Sequence, residues 1–176
     1  MMISYRDARP EDGDSLAAMA RTSFLDTFGP LYAPGDLDAF LETAFGPAGL
    51  PAQIDDPAYR IRLALDDEGL IAGFAKLSAM TQPVDHPEGA MELKQLYVLK
   101  DHHGAGIGPA LMDWAIDAAR AQQAPALYLS VYAENWRALS FYRRVGFVQV
   151  GVAPFHVGDK IDMDPVMMLD LTETNI

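Results

Sequence analysis

The sequence predicts a mixed α/β (α+β) domain with a central, mostly antiparallel sheet flanked by about four helices. Three observations carry this. Segments of strand and helix character follow one another in the order β-α-α-β-β-β-α-β-α-β-β. Asp66-Asp67-Glu68-Gly69 joins two strand-like stretches with hairpin chemistry, which makes those strands antiparallel neighbours. Later a strand runs through a glycine-rich turn into a long amphipathic helix, the signature of a crossover. At 176 residues the chain can bury one real core and is short for two, so a single domain over 1–176 is expected.

The elements follow in order. Residues 3–9 read as a short strand ended by Pro10. Asp12 and Asp14 sit where an N-cap and first turn belong, ahead of Leu16, Met19, Ala20 and Phe24 at helical spacing. Gly29-Pro30 breaks that helix. Asp36 opens a second one through Leu37, Phe40, Leu41 and Phe45, closed by Gly46-Pro47. Residues 47–58 read as loop. Strands are expected at 59–65, 70–80 and 91–99, with a Pro/Gly/His loop at 81–89. Ile107, Leu111, Trp114, Ala115 and Ala118 mark one face of a helix of about four turns. A strand at 126–132, a helix at 135–145 closed by Gly146, and strands at 147–151 and 166–171 complete the chain. Met163, Met167 and Met168 are expected in a core strand rather than on a binding surface.

Composition removes several functions. The chain has no cysteine, which excludes disulfides, thiolate metal sites and a cysteinyl acyl intermediate. A net charge of −12 disfavours nucleic acid and suits either solubility or a cationic substrate. No apolar run approaches a membrane span, so no membrane partner is expected. The N-terminus lacks a basic n-region and an apolar h-region, and a cytoplasmic address is expected. The four histidines, His86, His102, His103 and His156, show no ligand spacing, so no metal is expected.

The sharpest feature is the turn His103-Gly104-Ala105-Gly106-Ile107-Gly108 between a strand and a helix. Glycines allow positive φ and close backbone approach, and several N–H groups then point to one place before a helix N-terminus. That suits a phosphate or pyrophosphate, although a plain strand-to-helix turn has the same outline. A P-loop would need G-x-x-x-x-G-K-[ST], which does not occur. The dinucleotide spacing G-x-G-x-x-G/A fails at Pro109 or Leu111, depending on the glycine counted first. Glu134 imitates a ribose-binding acid, which leaves a nicotinamide-dependent oxidoreductase as a distant alternative.

The same residues resemble the Gcn5-related N-acetyltransferases (GNAT). Their strand, Gln/Arg-x-x-Gly-x-Gly/Ala and helix fall on 103–108. Their second motif falls on Glu134-Asn135, Ala138, Phe141-Tyr142 and Gly146-Phe147, after a strand. The resemblance spans essentially the whole chain. It implies an acetyl-CoA-dependent N-acetyltransferase acting on a small-molecule or peptide amine, with a homodimer compatible. By position it implies that Leu96, Tyr97 and Val98 pair with the pantetheine arm. His103, Gly104, Ala105, Gly106, Ile107 and Gly108 would hold the pyrophosphate. Asn135 would contact the cofactor near the thioester, Tyr142 would protonate the leaving thiolate, and Glu92 would be the general base. Two positions depart from the pattern: His103 replaces Gln/Arg, and Pro109 removes one N–H from the anion site.

Chemistry bears on two of these roles. A tyrosine, with an unperturbed pKa of about 10, matches a leaving alkyl thiolate. Strand alternation puts Glu92, Lys94, Leu96 and Val98 on one face, so Glu92 serves either as base or as a partner of Lys94. For the acceptor, Thr22-Ser23-Phe24-Leu25-Asp26-Thr27-Phe28-Gly29 and the ending Gly158-Asp159-Lys160-Ile161-Asp162-Met163-Asp164-Pro165-Val166-Met167 resemble bacterial polyamine-type acetyltransferases. Asp26 and Phe28 are the implied substrate residues. Asp26, Asp36, Asp38 and Glu42 either steer a polycation or cap helices and solvate a face. A non-catalytic acyl-CoA-binding module of the same fold is the alternative to the enzyme.

Overall fold

Hairpin chemistry at 66–69 closes the first long pairing. Asp66 Oδ1 accepts the N–H groups of Glu68 (2.9 Å) and Leu70 (3.0 Å), tying the turn between strand β2 (Tyr59–Leu65) and strand β3 (Ile71–Ala79). The computed structural model describes residues 2–172; Met1 and 173–176, which the expected 1–176 domain includes, lie outside the described residues. The remaining strands are β1 (Ser4–Asp7), β4 (Met91–Val98), β5 (Ala126–Ser130), β6 (Val148–Val157) and β7 (Lys160–Asp170). They form one seven-stranded sheet in the order β1-β2-β3-β4-β5-β7-β6. Every neighbouring pair is antiparallel except β4 and β5.

Four helices cover the two faces: α1 (Gly13–Phe28), α2 (Pro34–Phe45), α4 (Ile107–Ala121) and α5 (Trp136–Val145). A one-turn helix, α3 (Leu50–Gln53), sits in the stretch expected to be loop, because Pro51 occupies a first-turn position where its missing N–H costs nothing. The apolar stripe of α4 packs with Ala75, Leu77 and Leu93 on one face of the sheet. The other face carries α1 and α2 through Leu16, Phe24, Leu41 and Phe45 against Leu63 and Phe74. Phe24 is fully buried, stacks on Phe40 at 4.6 Å and meets Phe45 edge-on at 6.2 Å. Truncating such a ring to alanine costs about 3–5 kcal/mol.

Strands β6 and β7 are longer than the sequence predicts, and they extend as a hairpin beyond the rest of the sheet. Its tip docks on the start of α2, where Asp36 Oδ1 accepts the Asp159 N–H at 3.2 Å. Met163 is 56 % exposed on the outer face of this hairpin, unlike buried Met167. The expectation of a core position for Met163 is therefore corrected.

Two irregularities of β4 make the site. The first is a bulge: Lys76 pairs with Gln95 and Leu77 with Leu93, so Lys94 has no partner. The extra residue resets the alternation. Leu93, Leu96 and Val98 all pack on the α4 side, whereas Tyr97 packs on the α1/α2 side. Glu92 therefore does not share a face with Leu96 and Val98, which corrects the expected alternation. The second is a splay. β4 and β5 pair only at Met91–Leu127 and Glu92–Tyr128, and then diverge.

Candidate active site

The splay leaves backbone groups of β4 without a strand partner. Leu99 N–H donates to Ala72 O on β3, so by antiparallel alternation Tyr97 also faces β3. The N–H and C=O groups of Leu96 and Val98 then face the gap. A cleft of about 710 Å³ fills this gap and passes through the sheet. On the α4/α5 side it is lined by His103, Gly104, Gly106, Gly108, Asn135, Arg137, Phe141, Tyr142 and Arg144. On the α1/α2 side the lining is Phe24, Phe28, Tyr32, Tyr132, Phe155 and Asp164. Leu96, Tyr97 and Val98 line the waist between the two, and Ile107 lines the cleft at the start of α4.

The glycine turn is built as an anion cradle. Gly104 and Gly106 take φ of +89° and +80°, a region costly for side-chain-bearing residues. Gly106 is the N-cap of α4, so the N–H groups of Ile107 and Gly108 begin the helix without intrahelical acceptors. Pro109 lies in the same first turn and supplies no N–H. Two of the three arginines on α5, Arg137 and Arg144, add positive charge at this end of an otherwise acidic chain. Donors and charge of this kind fit a pyrophosphate.

His103 is tied down on both ring nitrogens. Arg137 donates to its Nδ1 at 2.6 Å, which puts the ring proton on Nε2, and Nε2 donates to Val98 O at 3.0 Å. The ring thus braces the end of β4 against α5. Asn135 caps α5 by accepting the Ala138 N–H at 3.2 Å.

Tyr142 packs between Phe141 (5.5 Å) and Phe147 (5.9 Å) and lines the cleft. Burial, and the nearby Tyr97, push its pKa well above the usual tyrosine value. Tyr97 itself is pushed up to about 12 by burial. Both hydroxyls hold their protons at neutral pH.

Glu92 stands outside the lining of the cleft. Its side chain is buried, and Oε1 accepts from Thr81 N (2.9 Å) and Thr81 Oγ1 (2.6 Å) while Oε2 accepts from Gln82 Nε2 (2.9 Å). Lys94 lies 3.7 Å away. This carboxylate pins the connection that leaves β3 and already holds three donors. Ala105 does not line the cleft, and its N–H donates to His102 O at 3.3 Å. Asp26 is exposed on α1, also outside the lining, whereas Phe28, two residues later, lines the cleft. Of the other acidic residues, Asp36 caps the hairpin tip and Glu42 faces Arg21 at 3.7 Å.

A family model described as the acetyltransferase (GNAT) family matches residues 17–147. The chain belongs to the GNAT acetyltransferase family. Acetyl-CoA is the acyl donor of GNAT enzymes. A relative described as an uncharacterized N-acetyltransferase of Mycobacterium tuberculosis is 32% identical over 160 residues, covering 91% of this chain and 98% of that protein. Streptothricin acetyltransferase of Streptomyces lavendulae is 29% identical over 163 residues, covering 84% and 82%. The fold of the PaiA N-acetyltransferase from Thermoplasma acidophilum, solved in complex with coenzyme A, superposes with a TM-score of 0.79 at 21% identity, covering 97% and 99%.

Several cleft residues of this GNAT chain escape a linear reading. Arg137 and Arg144 are seven residues apart on α5, a spacing that puts both on one helix face and was legible in principle. Asp164 shares a strand face with Asp162 and with buried Val166, so a carboxylate in an apolar face was its only signal. Tyr32 and Phe155 carry none, since each reads as an ordinary core aromatic. Among the described residues no group of three or more His, Asp or Glu is placed to hold a metal ion. No helix among them is long and apolar enough to cross a membrane.

Proposed function

We propose that this enzyme transfers acetyl directly from acetyl-CoA to a primary amine, with the donor entering on the α4/α5 side and the amine on the α1/α2 side. The observation that carries this is the continuity of the cleft through the splay of β4 and β5. One end offers helix-start N–H groups and arginines suited to a pyrophosphate, and the other an aromatic, acidic chamber suited to an amine.

The glycine turn, Arg137 and Arg144 hold the pyrophosphate. The free edge groups of Leu96 and the Val98 N–H pair with the pantetheine amides, and an edge N–H polarises the thioester carbonyl. Bound acetyl-CoA supplies an activated acyl group. Tyr142 gives its hydroxyl proton to the departing sulfur, and the proton shed by the new amide nitrogen restores it. A buried tyrosine with a raised pKa stays protonated until a thiolate forms beside it. Glu92, with three donors on its carboxylate and no place in the lining, holds the 81–82 segment rather than acting as base.

Thiol release from acetyl-CoA with a mixed pool of amines tests the reading. The wild type is expected to turn over. Tyr142→Phe is expected to lose about 10²–10⁴-fold in kcat while binding CoA unchanged. A wild type that binds CoA and acetylates none of the amines would mark a non-catalytic binding module.

A further inference from the structure

The acceptor end of the cleft holds a buried carboxylate with one oxygen unpartnered. Asp164 on β7 is 5 % exposed, lines the cleft, and its Oδ1 has no hydrogen-bond partner. A buried carboxylate with a vacant lone pair is costly and is retained where something comes to meet it. Its surroundings define what that is. Asp162 lies two residues away on the same strand face, hydrogen-bonded by Tyr32 Oη at 2.5 Å. Phe28 meets Tyr132 edge-on at 5.6 Å and Tyr32 at 6.5 Å, so three aromatic rings wall the same chamber. Carboxylates among aromatic faces recognise an ammonium. The chain shows the chemistry on its own outer side: Lys160 Nζ sits 4.9 Å over the Tyr32 ring, 4.0 Å from Asp162 and 3.4 Å from Leu31 O.

We propose that Asp164 is the acceptor-site catalytic carboxylate: it seats the ammonium of a primary amine lacking a neighbouring carboxylate, and takes one of its protons. The step is a single proton transfer. The N–H bond breaks, the O–H bond forms at Asp164, and the amine keeps the lone pair that attacks. The proton returns to solvent when product leaves.

The groups facing Asp164 set its proton affinity. Burial first and then the charge of Asp162 raise its pKa to about 6, against the Ala133 backbone N–H, which lowers it. Tyr32 and Tyr132 are themselves raised, so they stay neutral. Lys160 is engaged by Asp162. The carboxylate is therefore ionised, and ready to accept a proton, at neutral pH. An α-amino acid would bring its own carboxylate against Asp162 and Asp164, a like-charge contact that costs binding.

This inference rests on the transferase reading, and the experiment separates the two. Wild type and Asp164→Asn are compared with 1,4-diaminobutane, n-butylamine, Nα-acetyl-lysine amide and glycine as acceptors. Calorimetric titration of CoA, and of 1,4-diaminobutane into the CoA-saturated protein, accompanies the kinetics. The amines without a carboxylate are expected to exceed glycine at least about tenfold in kcat/KM, and the lysine amide against the two alkyl amines tells a peptide source from a free one. Asp164→Asn is expected to keep its CoA affinity and lose about 100-fold or more in kcat/KM for amines. It should also lose the acid limb near pH 6 and bind diaminobutane about tenfold more weakly. A variant that keeps the acid limb and stays within threefold of wild type overturns the role of Asp164 and leaves the transferase standing. If the wild type acetylates nothing, the transferase reading falls, and the diamine titration, which needs no turnover, still decides Asp164.

Discussion

Asp164→Asn should make the protein more stable while making it a worse enzyme. A carboxyl held at about 6 instead of 3.8 carries, once ionised, a folding penalty of about 3 kcal/mol at most. The cleft is open to water, so the working figure is about 1–3 kcal/mol. The sign follows from the raised value: the penalty is absent below pH 3.8, grows as pH rises to about 6, and is constant above that. Asparagine keeps the shape and an oxygen for the Ala133 N–H, and it carries no charge. At pH 7.5 the variant should therefore melt roughly 3–10 °C above wild type, given about 2–4 °C per kcal/mol for a domain of this size. At pH 5 about half of the gain should remain. Differential scanning calorimetry at both pH values, without ligand, checks it. Equal or lower stability of the variant at pH 7.5 would refute the claim that this carboxylate is held at a cost for function.

Other outcomes follow from the same geometry. Glu92→Gln should lower stability by about 1.5–3 kcal/mol, read from chemical denaturation, because it weakens charge-assisted bonds from Thr81 and Gln82. The pH–rate profile of that variant should be unchanged, and a lost limb would return Glu92 to the mechanism. His103→Ala should weaken CoA only about three- to tenfold by calorimetry, because it removes a brace and frees Arg137, whereas the N–H donors stay. Gly106→Val forces a β-branched side chain to φ +80° and should cost about 1–3 kcal/mol of stability. It should also reduce CoA affinity more than His103→Ala does.

Local chemistry made much of this molecule legible before folding. The hairpin at 66–69, the helical stripe from Ile107 to Ala118 and the helix stop at Gly146 each depend on residues within a few positions of one another. Such preferences survive in any tertiary setting, so the element order and the anion cradle could be read directly. The resemblance of 103–108 and 134–147 to the GNAT pattern then placed Tyr142. Glu92 and Asp26 show where linear reasoning fails. A one-residue bulge at Lys94 reverses the facing of everything before it, and the bulge exists because two strands must accommodate one another across the sheet.

The acceptor chamber was beyond the sequence for a related reason. Tyr32, Tyr132 and Asp164 are far apart along the chain and meet only because β5 splays from β4 while the β6–β7 hairpin folds back onto the start of α2. Sequence alone determined which backbone segment can cradle a pyrophosphate, since that depends on glycines and a helix start. Only the tertiary structure decided which carboxylate meets the amine, because burial and an unpaired oxygen are properties of a packed environment and not of an aspartate.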